Sequence, residues 1–141
     1  TDVIAGFPGE TEEEFEETIH FLRQVGFYEM HIFKYSQRKG TPAAIMEGQI
    51  PENIKAHRSG RLLALGQEMS GIFRESYLHK KTEVLFEEEK IINGVSYQVG
   101  HTKEYIRGAV KTEEPLTGRI IAGRLTDFLE PDILLFCPQI H

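Results

Sequence analysis

The segment Thr1 to Phe15 (TDVIAGFPGETEEEF) constrains the fold most, because it has the pattern of a strand that runs through a turn into a helix. Val3 to Ala5 is an apolar run without alternation, which predicts a parallel strand covered on both faces. Gly6 to Glu10 (GFPGE) predicts a turn whose backbone can approach a ligand closely. Thr11 to Glu14 fits a capping box, which predicts the start of a helix. Such a strand, turn and helix form only part of an α/β domain, and the turn lies where these folds bind ligands.

The following residues predict a βαβ unit. The first helix is expected to end at Gly26, and four apolar residues share one of its faces: Phe15, Ile19, Leu22 and Val25. Phe27 to Tyr35 then predicts a second strand, which completes the unit. This strand runs into the polar loop Ser36 to Pro42 (SQRKGTP). Two loops are therefore expected to converge on one face.

The rest of the chain predicts a long helix followed by short strands. Pro51 marks the start of the helix, which is expected to reach about Lys80 although three internal glycines lower its helix propensity. Asn93-Gly94 predicts a hairpin turn, and Glu87 to Glu89 is interpreted as a solvated turn. Five short strands predict a small closed β-barrel of the OB-like kind. Those strands are Thr82 to Phe86, Val95 to Val99, Tyr105 to Val110, Gly118 to Leu125 and Ile133 to Cys137.

Composition excludes several classes of protein. With 141 residues, 40% of them hydrophobic and 27% charged, the chain has the composition of a soluble globular protein, and no apolar stretch is long enough for a membrane helix. Its single cysteine, Cys137, fits a reducing cytoplasm and excludes a self-contained zinc or iron-sulfur site. The six histidines lack ligand spacing, so no metal site is expected. Because Thr1 is not an initiator residue, we expect the chain to be a fragment.

Two stretches in the first half are candidate binding elements. The GFPGE turn lacks the lysine of a phosphate-binding P-loop and the third glycine of a dinucleotide-binding turn, so a nucleoside triphosphate site is not expected. Either a structural turn or a ligand-binding turn fits the pattern. In the YSQRKGTPAA stretch, Arg38 lies near Tyr35 and Ser36, a combination suited to a carboxylate or phosphate oxygen. An ordinary basic loop is the alternative.

A third stretch, Gly100 to Arg107 (GHTKEYIR), is a candidate RNA-binding element. Alternate positions of a strand share one face, so His101, Lys103, Tyr105 and Arg107 are expected to form an exposed row. Cations and an aromatic ring in such a row can hold phosphates and stack on bases. The net charge of −6 argues against broad, non-specific nucleic-acid binding, so any basic surface must be local. A merely polar barrel face is the alternative.

Three stretches together resemble one family. TDVIAGFPGETEEEFEET, FKYSQRKGTPAA with the later QIP, and GHTKEYIRG are similar to the carboxyl-terminal half of radical S-adenosylmethionine methylthiotransferases. The resemblance implies an α/β plus all-β chain. Its expected parts are the last strands and helix of a radical-SAM (βα) barrel in residues 1–48, a connector helix in 49–80 and a TRAM β-barrel in 81–141.

The same resemblance implies cofactors and site residues. The whole enzyme would use S-adenosylmethionine and two 4Fe-4S clusters, whose ligands are expected outside this chain, so the isolated chain is expected to be inactive. The barrel residues His101, Lys103, Tyr105 and Arg107 are expected to bind RNA, with the anticodon stem-loop of tRNA as partner. Tyr35 and Arg38 are the expected substrate contacts. The expected cofactor-binding residues are Gly6, Phe7, Pro8, Gly9, Glu10 and Ser36.

The branch of the family determines the substrate. GHTKEYI with the RKGTPAA loop is most similar to the branch that methylthiolates C2 of N6-threonylcarbamoyladenosine-37 in tRNA. The alternatives are the isopentenyladenosine-37 branch, the branch that modifies a ribosomal protein, and a stand-alone TRAM module that binds RNA. We expect a cytoplasmic protein that does not contact membranes. The open edges of two parallel strands also predict pairing with other portions of the same protein or self-association.

Overall fold

The structure is a computed structural model that describes residues 1–139, and these form two compact units. The first unit, Thr1–Ser70, contains β1 (Asp2–Ala5), α1 (Glu12–Val25), β2 (His31–Lys34), a short 3₁₀ helix (Pro42–Ile45) and most of α2 (Glu52–Glu75). The second unit begins at Gly71 and contains β3 (Lys81–Ile92), β4 (Val95–His101), β5 (Arg107–Val110), β6 (Ile120–Glu130) and β7 (Ile133–Pro138).

In the first unit, β1 and β2 form a parallel pair, with Val3 opposite Ile32 and Ile4 opposite Phe33. One face of this pair packs on a core that α1 and α2 share. The other face is open: Ile4 is 56% exposed and Phe33 is 54% exposed. The prediction that β1 is covered on both faces is therefore wrong for the described residues, since both helices that pack on the pair do so from the same side. The buried core consists of Ala5, Phe15, Ile19, Leu22, Leu62, Leu65 and Met69.

Local sequence patterns set the ends of α1 as predicted. The Thr11 hydroxyl accepts a hydrogen bond from the Glu14 amide at 3.1 Å, and the Glu14 carboxylate accepts one from the Thr11 amide at 2.9 Å, so the capping box is confirmed. Gly26 ends the helix in the left-handed conformation, as predicted. Val25 is 49% exposed and lies off the buried face. The second strand is shorter than predicted and comprises four residues.

The second unit contains a closed barrel in the order β3-β4-β5-β7-β6, which confirms the predicted five strands. All neighbouring strands are antiparallel except β5 and β7. Asn93 and Gly94 both have positive φ and form the predicted turn between β3 and β4. α2 is continuous through its glycines but ends at Glu75, five residues before the predicted end. The chain between Glu75 and Lys81 forms a turn, in which the Tyr77 amide donates to the Arg74 carbonyl at 3.0 Å.

The acidic run Glu87 to Glu89 lies within β3, so its interpretation as a turn is wrong. Pairing with β4 passes from Phe86 opposite Gly100 to Glu88 opposite Val99, which leaves Glu87 as the extra residue of a β-bulge. The two strands approach closely at Gly100. A Cβ at this position would lie only 1.9 Å from the Leu85 carbonyl oxygen. All three glutamates are exposed, and an exposed strand tolerates them. A run of charged residues is therefore not enough to predict a turn.

Candidate functional site

The Gly6–Glu10 turn directly follows β1, as the sequence predicts. Three of its amides are satisfied within the first unit. The Gly6 amide donates to the Glu10 carboxylate at 3.0 Å, the Gly9 amide to the Gly48 carbonyl at 2.8 Å, and the Glu10 amide to the Phe7 carbonyl at 3.0 Å. These amides are not directed at a ligand, whereas the Phe7 ring is 44% exposed. The turn can thus form one wall of a pocket, but it is not an anion cradle.

Arg58 of α2 holds this turn in place and is not among the site residues predicted from the sequence. Its side chain is buried, and Nη1 donates to the Glu10 carbonyl at 3.0 Å and to the Glu10 carboxylate at 2.8 Å. Glu10 is therefore committed to an ion pair inside the unit. The spacing of Arg58 with Leu62, Leu65 and Met69 places all four on one face of a helix, and that pattern could have identified the arginine as buried.

The two predicted loops do converge, at Phe7 and Tyr35. Their ring centroids are 5.5 Å apart in an edge-on arrangement. Lys55 of α2 supports both loops, because Nζ donates to the Tyr35 carbonyl at 3.1 Å and its stem packs against Gly6, where a Cβ would lie 2.2 Å from Lys55 Cγ. The Tyr35 hydroxyl is buried and has no hydrogen-bond partner within residues 1–139.

The loop after β2 is exposed, including Ser36 and Arg38. The Arg38 carbonyl accepts hydrogen bonds from the Thr41 amide at 3.2 Å and from the Thr41 hydroxyl at 2.8 Å, which fixes the backbone of the loop. Its guanidinium has no hydrogen bond or ion pair to any residue of the described range 1–139. The loop thus presents a cation on a constrained backbone.

Lys34 and Lys55 both contact Glu52 near the start of α2. Lys55 Nζ lies 3.2 Å from the Glu52 carboxylate, and Lys34 forms a second ion pair with it. The hydrogen bond from Lys34, followed by that from Lys55, lowers the pKa of the Glu52 carboxyl below its ordinary value. These pairs link the end of β2 to α2.

The second unit contains a cleft of about 830 Å³ on the barrel surface. It is bordered by the first half of β3, the loop of residues 102–106 and the first residues of β6. Three lysines line it, Lys80, Lys81 and Lys103, together with two tyrosines, Tyr77 and Tyr105. Further lining residues include Glu83, Leu85, Glu87, His101, Glu104 and Ile120.

The predicted row from His101 to Arg107 is not a strand face, so that prediction is wrong. β4 ends at His101 and β5 begins at Arg107, with a tight loop between them. The Thr102 amide donates to the Ile106 carbonyl at 2.9 Å, and the Thr102 hydroxyl accepts from the Ile106 amide at 3.3 Å. Tyr105 has a φ of 63°, which is incompatible with a strand. The amides of Glu104 and Ile106 donate to the Thr102 hydroxyl, and these bonds close the loop. They interrupt the alternation of side chains that a strand would have.

The four residues of that row differ in their surroundings. His101 Nδ1 lies 2.5 Å from the Glu87 carboxylate, and Arg107 pairs with Glu88 at 3.5 Å and with Asp132 at 3.2 Å. Lys103 has a side chain that is 89% exposed, and Tyr105 is 78% exposed. The structure therefore brings His101, Lys103 and Tyr105 to the cleft. Arg107 is not among the lining residues.

Within residues 1–139 there is neither a group of metal ligands nor a helix that could cross a membrane. Among residues 1–139, no three His, Cys, Asp or Glu side chains are grouped so that they could bind a metal ion. Cys137 is exposed, and no other cysteine is present. An iron-sulfur cluster does not fit the donor set of these residues. No helix in the same range is long and apolar enough to cross a membrane.

Comparison with curated proteins confirms the family resemblance: the chain is homologous to a carboxyl-terminal part of tRNA methylthiotransferases. It is 43% identical over 126 residues to the threonylcarbamoyladenosine tRNA methylthiotransferase MtaB of Bacillus subtilis (strain 168), covering 89% of this chain and 28% of that protein. It is 45% identical over 121 residues to the tRNA-2-methylthio-N(6)-dimethylallyladenosine synthase of Aquifex aeolicus (strain VF5), covering 86% and 27%.

A protein with the same name as the Aquifex relative, from Finegoldia magna (strain ATCC 29328 / DSM 20472 / WAL 2508), is 37% identical over 128 residues, covering 91% of this chain and 28% of that protein. The chain thus spans only slightly more than a quarter of the length of these three relatives. A scan against protein-family models found no match.

Proposed function

We propose that this chain is part of a tRNA methylthiotransferase that modifies C2 of N6-threonylcarbamoyladenosine-37. The similarity to MtaB over 89% of the chain carries this proposal. Under this proposal, the barrel binds the tRNA anticodon stem-loop, and the first unit contributes one wall of the catalytic pocket. The exposed cleft lysines Lys80, Lys81 and Lys103 support the first assignment, because RNA binding depends on phosphate contacts. Glu83, Glu87 and Glu104 line the same cleft, so such contacts would have to be local to the lysines.

We also propose that residues 1–48 belong to a radical-SAM barrel, residues 49–80 to a connector helix and residues 81–141 to a TRAM domain. S-adenosylmethionine and the 4Fe-4S clusters would supply the radical and the sulfur chemistry when bound. The exposed ring of Phe7 and the adjacent ring of Tyr35 fit contacts to a ligand at the turn. Arg58 and Lys55 would fix the backbone of this wall from behind. Residues outside this chain would hold the clusters.

Arg38 would select the substrate branch. A threonylcarbamoyl group has a carboxylate, and a guanidinium can hold a carboxylate through two parallel hydrogen bonds. The guanidinium of Arg38 is exposed and has no partner within residues 1–139, so it is available for this contact. A dimethylallyl group offers no carboxylate. The 45% identity to the Aquifex synthase nonetheless keeps dimethylallyladenosine as the second candidate substrate.

The test uses the complete protein that contains this chain, expressed in a bacterial strain that lacks its own adenosine-37 methylthiotransferases. Mass spectrometry of nucleosides from digested tRNA would show 2-methylthio-N6-threonylcarbamoyladenosine if the proposal holds. Arg38→Ala and Arg38→Lys should both reduce this product at least about fivefold, because neither preserves the paired hydrogen bonds.

Lys39→Ala is the matched control, because it removes the neighbouring cation and should leave the product close to the wild-type level. A methylthiolated dimethylallyl product in place of the threonylcarbamoyl product would reject the branch assignment. The absence of both products would reject the methylthiotransferase proposal itself.

A further inference from the structure

Two exposed glutamines fix the shape of the loop that carries Arg38, which connects β2 to α2 and contains the short 3₁₀ helix. Gln49 Nε2 donates to the carbonyls of Ala43 and Met46 at 2.9 and 3.0 Å. Gln37 donates a further hydrogen bond to a carbonyl of the same helix. The last carbonyls of a helix have no partner within it, so these side-chain amides satisfy groups that would otherwise bond only to water.

Gly48 joins this loop to the Gly6–Glu10 turn. Its carbonyl accepts the amide hydrogen of Gly9 at 2.8 Å. Gly48 has a φ of 75°, a conformation that residues with a side chain rarely adopt. A Cβ at this position would also lie 3.3 Å from both Cα and N of Gly9. The contact between the loop and the turn therefore requires a glycine at position 48 for two independent reasons.

These contacts connect the backbone of Arg38 to the turn. The Arg38 carbonyl accepts two hydrogen bonds from Thr41, which precedes the 3₁₀ helix, and Gln49 binds the other end of that helix. Gln49 in turn follows Gly48, which contacts the turn. The guanidinium thus extends from a backbone that is fixed relative to the turn, although it takes part in none of these contacts. A binding group that is ordered before its ligand arrives loses less entropy on binding.

We propose that Gly48 and Gln49 are positioning residues for Arg38: they hold its loop against the turn, so that the guanidinium meets the substrate carboxylate at the wall of the pocket. Neither residue needs to touch the substrate, because both act through the backbone of the loop. This inference rests on the proposed contact between Arg38 and the threonylcarbamoyl carboxylate, and it adds the residues that set its position. A displacement of about 1 Å in a binding group can lower a rate about a hundredfold, so loosening the loop has a measurable effect.

The first test combines Gln49→Glu with Arg38→Ala in the complete protein, expressed in a strain that lacks its own adenosine-37 methylthiotransferases. The readout is the 2-methylthio-N6-threonylcarbamoyladenosine formed at a fixed early time. Gln49→Glu keeps the size of the side chain but replaces the donor with a carboxylate that repels the carbonyls. It should reduce the product about fivefold, which corresponds to about one net hydrogen bond. In the Arg38→Ala background it should change the product less than about twofold, because no guanidinium is left to position.

Gln67→Glu is the matched control for this test, because it makes the same chemical change at an exposed position of α2. It should leave the product unchanged in both backgrounds. A residue that merely supports folding would instead lower the product by the same factor whether or not Arg38 is present.

Hydrogen exchange of the complete protein, followed by mass spectrometry, gives a second readout that does not depend on activity. In Gly48→Ala, peptides that contain Gly9 should exchange faster, because the Gly9 amide loses its acceptor. Gly26→Ala is the matched control: Gly26 has a φ of 71°, and apart from its chain neighbours no atom lies within 4 Å of an added Cβ. It imposes similar backbone strain and should leave the exchange of the Gly9 peptides unchanged. Wild-type exchange of the barrel peptides would establish that both variants fold.

The outcomes separate this inference from the proposed function. Wild-type exchange of the Gly9 peptides in Gly48→Ala would overturn the positioning role and leave the Arg38 contact in place. So would an effect of Gln49→Glu that is absent, or equal in the two backgrounds. A wild-type product level in Arg38→Ala alone would overturn the Arg38 contact itself, and the positioning role with it.

Discussion

Arg58 donates one hydrogen bond to the carbonyl of Glu10 and another to its carboxylate, at 3.0 and 2.8 Å. The same carboxylate accepts the amide hydrogen of Gly6. A single buried arginine on α2 thus holds both ends of the turn that follows β1. The shape of the turn depends on this pair because four of the turn's hydrogen bonds involve Glu10.

Arg58→Met is expected to destabilise the first unit by about 3 kcal/mol, since it leaves the carboxylate of Glu10 largely buried without its cation. Adding Glu10→Gln to that variant should restore part of the loss, because the remaining polar group is then neutral. Native-state hydrogen exchange of the α1 amides measures the free energy of opening.

Arg23→Met serves as the control for that measurement. It breaks the Arg23–Glu68 pair, in which both side chains are about half exposed. The expected change is below about 1 kcal/mol. Equal effects of Arg58→Met and Arg23→Met would show that the buried pair does not support the turn.

Gly100→Ala is expected to destabilise the barrel by about 3 kcal/mol, because the new methyl group would overlap the Leu85 carbonyl and force the backbone at the bulge to move. Urea unfolding followed by circular dichroism would measure the loss. Gly71→Ala in α2 is the matched control: beyond its own turn of the helix, no atom lies within 4 Å of the added Cβ, and helix propensity predicts a gain of up to about 1 kcal/mol. A wild-type midpoint for Gly100→Ala would contradict the close approach of β3 and β4.

The Glu52 carboxyl is expected to titrate below its ordinary pKa of 4.5, because Lys34 and Lys55 stabilise its charged form. A lowered pKa in the folded state stabilises the fold above pH 4.5, and this contribution is lost as the pH falls through the folded-state pKa. NMR titration of the side-chain carboxyl would give the midpoint. Lys34→Gln should raise that midpoint, and Lys39→Gln should not. A midpoint at or above 4.5 in the wild-type chain would disprove the pairing.

Lys103→Ala is expected to weaken binding of a tRNA anticodon stem-loop and to make it less sensitive to salt. Each phosphate contact to single-stranded RNA adds about 0.7 to the slope of log affinity against log salt concentration, so losing one contact reduces the slope by about that amount. Lys90→Ala is the comparison, because Lys90 is exposed on β3 and does not line the cleft. If Lys103→Ala and Lys90→Ala reduce the slope by the same amount, the cleft has no special role in phosphate binding.

Features set by neighbouring residues could be predicted from the sequence. The capping box at Thr11, the left-handed Gly26 and the Asn93-Gly94 turn each depend on a few consecutive residues. The ion pair of Arg58 with Glu10 joins residues 48 positions apart, and no local pattern specifies that distance. In the loop of residues 102–106, the Thr102 hydroxyl competes for backbone amides that a strand would have used. The strand prediction failed there for that reason. It also grouped Arg107 with His101, Lys103 and Tyr105, although Arg107 does not line the cleft.

The position of β7 has a consequence for how the barrel is made. This strand pairs with both β5 and β6, and it supplies the parallel pair that closes the barrel. During synthesis, β3 to β6 leave the ribosome before Ile133–Pro138 does, so the nascent barrel stays open, with two unpaired strand edges, until that stretch has emerged from the exit tunnel. A chain that ends before Ile133 would therefore expose those edges to aggregation and to proteases.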